Sequence, residues 1–282
     1  MAATQTTGGR YQRELDVVLE TIRRAGAEIM RRYESFERIE DAPADISTEA
    51  DRASQELILD GLHREFPGDG MCAEEASDRF ETEAGGDGRF WVVDPIDGTR
   101  GFARKNDEFS IMIALVDGGK AVVGAVHEPA IDRVTYAVRG GGCHVRRPFD
   151  AEPRACSVTT TDGVPRDLTM SRSRGDEGAG KLVAAFGAER TLQTYSAGIK
   201  LAQVARGEAD LYLGDYLTLH DWDVAAGHIL VEEAGGRVTN VEGDEVVYDG
   251  SGKSLRGKGI LATNGGVHAS ALETLAAGKV EF

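Results

Sequence analysis

Positive charge is scarce in this chain of 282 residues: 32 Lys and Arg stand against 48 Asp and Glu, a formal net charge of −16. With no basic stripe to release counterions, a nucleic-acid polymer is excluded as the main partner. The three cysteines, Cys72, Cys143 and Cys156, are odd in number and widely spaced, with no C-x-x-C among them. Zinc and thiol–disulfide motifs are therefore missing, and a reduced, cytoplasmic setting is the expectation. The six histidines, His63, His127, His144, His220, His228 and His268, show no metal-ligand spacing. Long apolar runs are lacking too. No stretch of 18 apolar residues exists and "MAATQTTGGRYQREL" has no apolar signal core, so neither a membrane span nor an export signal is expected. What remains is 41% hydrophobic and 28% charged, the balance of a globular protein, and its 36 glycines predict many tight turns.

Periodicity divides the chain in two. Leu15, Val18, Ile22, Ala25 and Ile29 predict a helix over 11–32, and Ala50, Ala53, Leu57, Leu62 and Phe66 a second one opened by Ser47 as N-cap and ended by "PGDG" (67–70). Strand-like runs follow at 89–94, 109–116, 121–129 and 133–139, in direct succession, which predicts an antiparallel sheet. "FDAEPRA" (149–155) has no periodicity and is the expected boundary. Beyond it, strand runs at 167–171, 209–214, 236–241 and 259–264 alternate with helical runs near 177–187, 197–206, 222–234 and 268–277, an α/β pattern. The expectation is an α+β subdomain over 1–150 and an α/β subdomain over 151–282.

The chemistry concentrates in acidic clusters. In "WVVDPIDGTRGF" (91–102), Pro95 pushes Asp94 to extended backbone at a strand end and Gly98 supplies a turn, so Asp94 and Asp97 can share one space. Paired carboxylates repel unless a cation lies between them or one keeps a proton. Oxygen ligands without imidazole or thiolate suit a hard ion, Mg²⁺ above all. Asp-Pro and Asp-Gly are also ordinary turn dipeptides, and the ladder of an EF-hand is missing. Glu74 and Glu75 form a second acidic pair after "FPGDGM". Asp221 and Asp223 form a third at a helix start, where Asp221 fits a capping role and Asp223 is left unexplained by it. Trp91 and Trp222 are read as core, and His220 as the histidine nearest the acids.

"AEE", then "WVVDPIDGTRGF", then "WDVAAGHILVEEAGG", in that order, resemble the inositol monophosphatase superfamily of Mg²⁺-dependent, lithium-sensitive phosphatases, over about residues 12–275. The resemblance implies a layered αβαβα sandwich. It implies two or three Mg²⁺ ions held by Glu74, Asp94, the Ile96 carbonyl, Asp97 and Asp223. Those ions would make the pocket attractive to a small phosphate ester despite the net charge. It further implies a metal-activated water, phosphate contacts from the backbone of Gly98 and Thr99, and the Thr99 hydroxyl as partner of the attacking water. Threonine needs a carboxylate behind it. Asp51 matches the base of the nucleotidase branch, Asp45 that of the inositol branch, and Asp51 is favoured. The family often pairs subunits, and a homodimer is the corresponding expectation.

"GTRGF", "NDEFSIMIALVDGGKAVVGAVHEPA", "SRSR" (171–174) and "SAGIKLAQVARGEADLYLG" resemble the CysQ-like 3′(2′),5′-bisphosphate nucleotidases, which remove the 3′-phosphate of adenosine 3′,5′-bisphosphate. On that resemblance Arg172, Arg174 and Lys200 grip a second phosphate. Two positions depart from the branch: Arg174 stands where a histidine is usual, and Gly214 where an arginine is frequent. Gly214 also lacks the glutamate that the inositol branch uses for sugar hydroxyls, and Asp215 or Tyr216 would shape the pocket instead. Inositol 1-phosphate, a nucleoside 5′-monophosphate, histidinol phosphate and a sugar phosphate are the alternative substrates. A non-catalytic metal- or nucleotide-binding relative is the alternative of a different kind, opposed by the intact metal positions and Thr99.

Overall fold

The computed structural model describes residues 9–43, 46–81, 88–214 and 219–280. Helix α1 (Gln12–Ser35) buries Leu15, Val18, Ile22, Ala25 and Ile29, the stripe that the sequence spacing predicts. Helix α2 (Glu49–Glu65) packs beside it. Its start is one residue later than expected. Thr48, not Ser47, is the N-cap, because Asp51 three residues on returns its carboxylate to the Thr48 N–H at 2.8 Å and completes a capping box. Ser47 instead donates its hydroxyl to Glu75.

Seven strands follow in one sheet whose spatial order is the chain order: β1 (Gly70–Ala73), β2 (Arg89–Asp97), β3 (Ser110–Asp117), β4 (Lys120–Glu128), β5 (Arg133–Val138), β6 (Gly142–Arg146) and β7 (Arg154–Ala155). The short helix α3 (Thr99–Ala103) lies between β2 and β3. All pairs are antiparallel, as expected, except β1 with β2, which is parallel. Strand β1 falls in what reads as a turn. β7 falls in the expected boundary segment, where two exposed edge residues carry no apolar signal. The sheet is buried on both faces. Ile111, Ile113 and Leu115 of β3 pack toward α1 and α2, while Met112, Ala114 and Val116 pack on the other side.

The second sheet has the order β11-β12-β10-β8-β9, from β8 (Asp167–Ser171), β9 (Arg190–Thr194), β10 (Leu211–Gly214), β11 (Arg237–Thr239) and β12 (Ile260–Thr263). Strands β8, β9 and β10 run parallel, and β12 is antiparallel to both of its neighbours. The polar edge strand β9 was silent in the apolar pattern. Helices α4 (Gly175–Phe186), α5 (Ala197–Ala205), α6 (Ala225–Glu233) and α7 (His268–Ala276) alternate with these strands.

The layers run α1 and α2, first sheet, α5 and α6, second sheet, α4 and α7: an αβαβα sandwich with one apolar core in the outer α1/α2 gap, one around the central helices and one under α4 and α7. The central helices must approach the first sheet closely. At Gly124 of β4 an added Cβ would lie 2.5 Å from Ile229 Cγ2 and 2.6 Å from the Ala226 carbonyl of α6. Gly124→Ala is therefore expected to cost about 1–3 kcal/mol by overpacking. Urea unfolding midpoints check this, and an unchanged midpoint would contradict the close approach.

Candidate active site

Strand pairing brings the first acids together. In the parallel β1–β2 pair Ala73 lies opposite Val93, and the Glu74 N–H donates to the Val93 carbonyl at 3.2 Å, so Glu74 arrives beside Asp94. The Gln55 side chain of α2 clamps the next residue from both sides: its amide donates to the Glu75 carbonyl at 2.6 Å and its oxygen accepts the Glu75 N–H at 2.9 Å. In a regular strand, residues three apart face opposite ways. The β2–β3 register shifts between Asp94 and Asp97, at Pro95, which has no N–H to continue the ladder. Both aspartates thereby turn to one side. Gly98 then takes φ 86° with its Cα against the Glu108 carbonyl, where a Cβ would sit at 2.7 Å.

Asp97 reaches across to the start of α5. It accepts the Ala197 N–H at 3.1 Å, the Gly198 N–H at 2.6 Å, the Ser196 hydroxyl, and the Ser110 hydroxyl at 3.4 Å. This is the charge a helix N-terminus favours. Asp223 comes from the turn before α6 and accepts the His220 N–H at 2.8 Å. Asp221 does not cap that helix as expected. The helix begins at Ala225, and the buried Asp221 carboxylate takes the Ser254 hydroxyl at 2.8 Å.

Oxygens of Asp94, Asp97 and Asp223 lie within 4.8 Å of one another. Asp94 is buried, and its Oδ1 has no hydrogen-bond partner among the described residues. Burial, then Glu74, Asp97 and Asp223, hold the Asp94 carboxyl well above the usual range. Asp223 is pushed up to about 7 by burial and then by Asp97. Glu74 is exposed as a residue, but its carboxyl turns into the cluster beside Asp94, where burial of that group and then Asp223 raise its pKa. Crowded anionic oxygens with an unmatched buried acceptor are the donor set of a hard divalent cation, and the residues fit one.

Asp51 stands next to this cluster with its two oxygens divided. Oδ2 serves the capping box, taking the Thr48 N–H at 2.8 Å and hydroxyl at 2.6 Å. Oδ1 takes the Thr99 hydroxyl at 3.0 Å, and the Ile96 carbonyl is a second acceptor for it at 2.8 Å. Burial raises the Asp51 pKa. Lys200 lies beneath the acids, buried, donating to the Tyr195 carbonyl at 3.1 Å, and burial lowers its pKa to about 8.

A cavity of about 590 Å³ opens over the cluster, lined by the acids, Thr99, Arg100, Lys200, Ser173, His220 and Trp222 among others. Trp222 is half-buried: it packs against the central core, as expected, and also lines the cavity, its ring stacked on His220 at 4.5 Å and 5°. Trp91 is fully buried, as expected. Arg172 points away. Its guanidinium grips Glu108, with Nε to Oε2 at 2.8 Å, in an adjoining hollow with Arg38 and Arg104. Arg174 is half-buried at the start of α4, near enough to Lys200 to help depress its pKa. Gly214 is buried against Ile260 and the Tyr212 ring. Asp45, Asp215 and Tyr216 lie outside the described residues. Sequence reading missed the residues that hold the acids in place: Thr48, Gln55, Ser110 and Ser196. The T-x-x-D spacing of Thr48 and Asp51 is a capping-box signal that would have found the first.

A model of the inositol monophosphatase family matches residues 11–281. A 3′(2′),5′-bisphosphate nucleotidase CysQ of Salmonella typhimurium is 32% identical, over 83% of this chain and 93% of that protein. A histidinol-phosphatase of Mycobacterium tuberculosis is 34% identical, over 82% of this chain and 85% of that one. The solved structure of a Thermotoga maritima IMPase superposes with a TM-score of 0.77 at 29% identity, covering 94% of this chain and 97% of its own.

The raised carboxyls set a pH dependence. With no cation bound, folded Asp223 keeps its proton to about pH 7 and Asp94 at least well above its normal range, whereas unfolded aspartate titrates near about 3.9. The folded state binds more protons across that window, so its stability falls as pH rises through it. Chelated protein is expected to lose melting temperature from about pH 4 to 7, the window those aspartates define. Added divalent cation should restore it most at the upper end. Asp223→Asn should flatten the profile. A chelated melting temperature that is level in the wild type and unmoved by Asp223→Asn would contradict the electrostatic reading.

Proposed function

We propose that this chain, which belongs to the inositol monophosphatase family of phosphatases, hydrolyses the 3′-phosphate of a nucleoside 3′,5′-bisphosphate, with Mg²⁺ held at the acidic cluster. One observation carries the reaction class: oxygens of Asp94, Asp97 and Asp223 converge within 4.8 Å, beside the hydrogen-bonded Asp51–Thr99 pair. Glu74, Asp94, Asp97, Asp223 and the Ile96 carbonyl are the groups that would hold the cations. When bound, Mg²⁺ supplies a water of lowered pKa and neutralises charge on the phosphoryl and leaving oxygens.

The chain's own part is positioning and proton handling. The Thr99 hydroxyl has one proton and two acceptors, Asp51 and the Ile96 carbonyl. If that carbonyl is committed to a cation, the proton goes to Asp51, and the Thr99 oxygen is left to accept from the attacking water. Asp51 then takes the proton that the water loses, relayed by Thr99. Burial and the resulting raised pKa make Asp51 a better acceptor than an exposed aspartate. Backbone of Gly98 and Thr99 and the side chain of Arg100 border the space for the phosphate. The stacked His220–Trp222 wall offers a flat face to a nucleobase.

The CysQ relatives support the bisphosphate nucleotide as substrate. Histidinol phosphate is the second reading, favoured by the Mycobacterium tuberculosis relative and by one observation: Arg172 is engaged by Glu108 outside the cavity, which removes one of the cations expected for a second phosphate.

Phosphate release from adenosine 3′,5′-bisphosphate, AMP, inositol 1-phosphate, fructose 1,6-bisphosphate and histidinol phosphate, each with Mg²⁺, tests the substrate. The bisphosphate nucleotide is expected to lead in kcat/KM, and a lead by histidinol phosphate would replace it with the second reading. Asp94→Asn is expected to abolish turnover with the fold retained by circular dichroism. Thr99→Ala and Asp51→Asn should each lower kcat by about 10²–10⁴, the usual worth of positioned proton transfer, while Asp45→Asn leaves it near wild type. Loss in Asp45→Asn with activity kept in Asp51→Asn would transfer the base to Asp45. Arg174→Ala should weaken a bisphosphate more than a monophosphate.

A further inference from the structure

Along the chain Cys143 and Cys156 share no motif; the sheet makes them neighbours. β6 and β7 pair antiparallel with Val145 opposite Arg154 and His144 opposite Ala155. One more step of that register puts Cys156 opposite Cys143, and the Cys156 N–H donates to the Cys143 carbonyl at 2.8 Å. Directly opposed residues in such a hydrogen-bonded pair have Cα atoms about 5.5 Å apart and side chains on one face. A disulfide spans Cα separations of about 4.4–6.8 Å. The two thiols are close enough for each to shift the pKa of the other. Cys143 is buried in the central core, whereas Cys156 is half-buried at the sheet edge, where a small reagent can reach it.

We infer that Cys143 and Cys156 form a reversible dithiol–disulfide couple, a modification site whose oxidant is a low-molecular-weight disulfide such as glutathione disulfide. This inference is independent of the phosphatase reading.

The surroundings assign the roles. The neighbouring Cys143 thiol, with Arg206, holds the Cys156 thiol below its usual pKa against the opposing effect of partial burial. The same proximity and burial push the Cys143 thiol up. Cys156, the thiol a reagent can reach, is therefore the attacking thiolate, and the buried Cys143 is the resolving thiol. The Cys156 thiolate attacks one sulfur of glutathione disulfide, a mixed disulfide forms and one glutathione thiolate leaves. Cys143 gives up its proton and attacks the Cys156 sulfur. The new S–S bond forms, the mixed disulfide breaks and the second glutathione leaves. Two protein thiols are oxidised and one glutathione disulfide is reduced to two glutathiones. The bond would clamp the last strand pair of the first sheet where the chain departs toward the second, two residues before the Val158 N–H reaches the Ala234 carbonyl at 3.1 Å.

The full chain is equilibrated in glutathione buffers of increasing oxidised fraction, acid-quenched, denatured and analysed by thiol titration, intact mass and peptide mapping. Titratable thiols are expected to fall from three to one, the mass to drop by two hydrogens, and a dithiothreitol-sensitive link to join the peptides holding Cys143 and Cys156. Cys143→Ser should stop at one glutathione on Cys156, and Cys156→Ser should acquire neither adduct nor link. Cys143→Ala stands in if the serine at the buried position disturbs the fold. Three surviving thiols at the most oxidising buffer would overturn the inference. So would wild-type protein that accumulates the glutathione adduct, or a link that involves Cys72.

Discussion

The reach of Asp97 from the end of β2 to the first turn of α5 is the contact on which the site depends. One carboxylate closes the N-terminus of a central helix and also faces the acidic cluster. The helix supplies Lys200 to the cavity floor and packs against both sheets. Its backbone N–H groups and Ser196 fix the direction of the Asp97 oxygens, and the break at Pro95 gives Asp94 the same outlook. Without that break the two aspartates would lie on opposite faces of the strand, one toward α2 and the other toward α5.

Electrostatics complements this geometry. A chain of net charge −16 gathers several carboxyls into one partly buried space, which only protons or cations can make stable. Lys200 provides part of the compensation, at the cost of its own lowered pKa. The unmatched Asp94 oxygen leaves the remainder to a divalent ion. The same demand would hold for a monophosphate or a bisphosphate substrate, so the metal chemistry is separable from the choice of ester. The cavity wall carries His220, Trp222 and Arg100 beside the acids, and relatives of similar identity differ in their named substrates.

Local patterns were legible where period and burial agree. The stripe of α1, the paired runs of β2 to β5 and the alternation after residue 167 all appear where the apolar spacing puts them. The acids of "DPID" and Asp223 were legible as a set because their order along the chain resembles a known family. What stayed hidden was set by partners distant in sequence. β1 is a strand because β2 lies alongside it, and β7 because β6 does. Arg172 reads as a substrate contact in "SRSR", yet Glu108 of a remote loop claims it. Cys143 and Cys156 looked unrelated for the same reason. Asp221 looked like a helix cap until Ser254, from beyond the second sheet's β11, took its carboxylate.

The divided carboxylate of Asp51 has an evolutionary consequence. One oxygen holds the opening of α2 through Thr48, and the other holds Thr99. A lineage that drifts away from phosphate chemistry would ordinarily shed its proton acceptor early, since nothing else would select for it. On the proposed function, Asp51 answers to two independent demands, and the structural one would persist when the catalytic one lapses. An aspartate at this position in a distant descendant is consequently weak testimony that the descendant still turns over substrate. Thr99 holds only the local turn through the Ile96 carbonyl, so its loss would be the earlier sign of a lapsed activity.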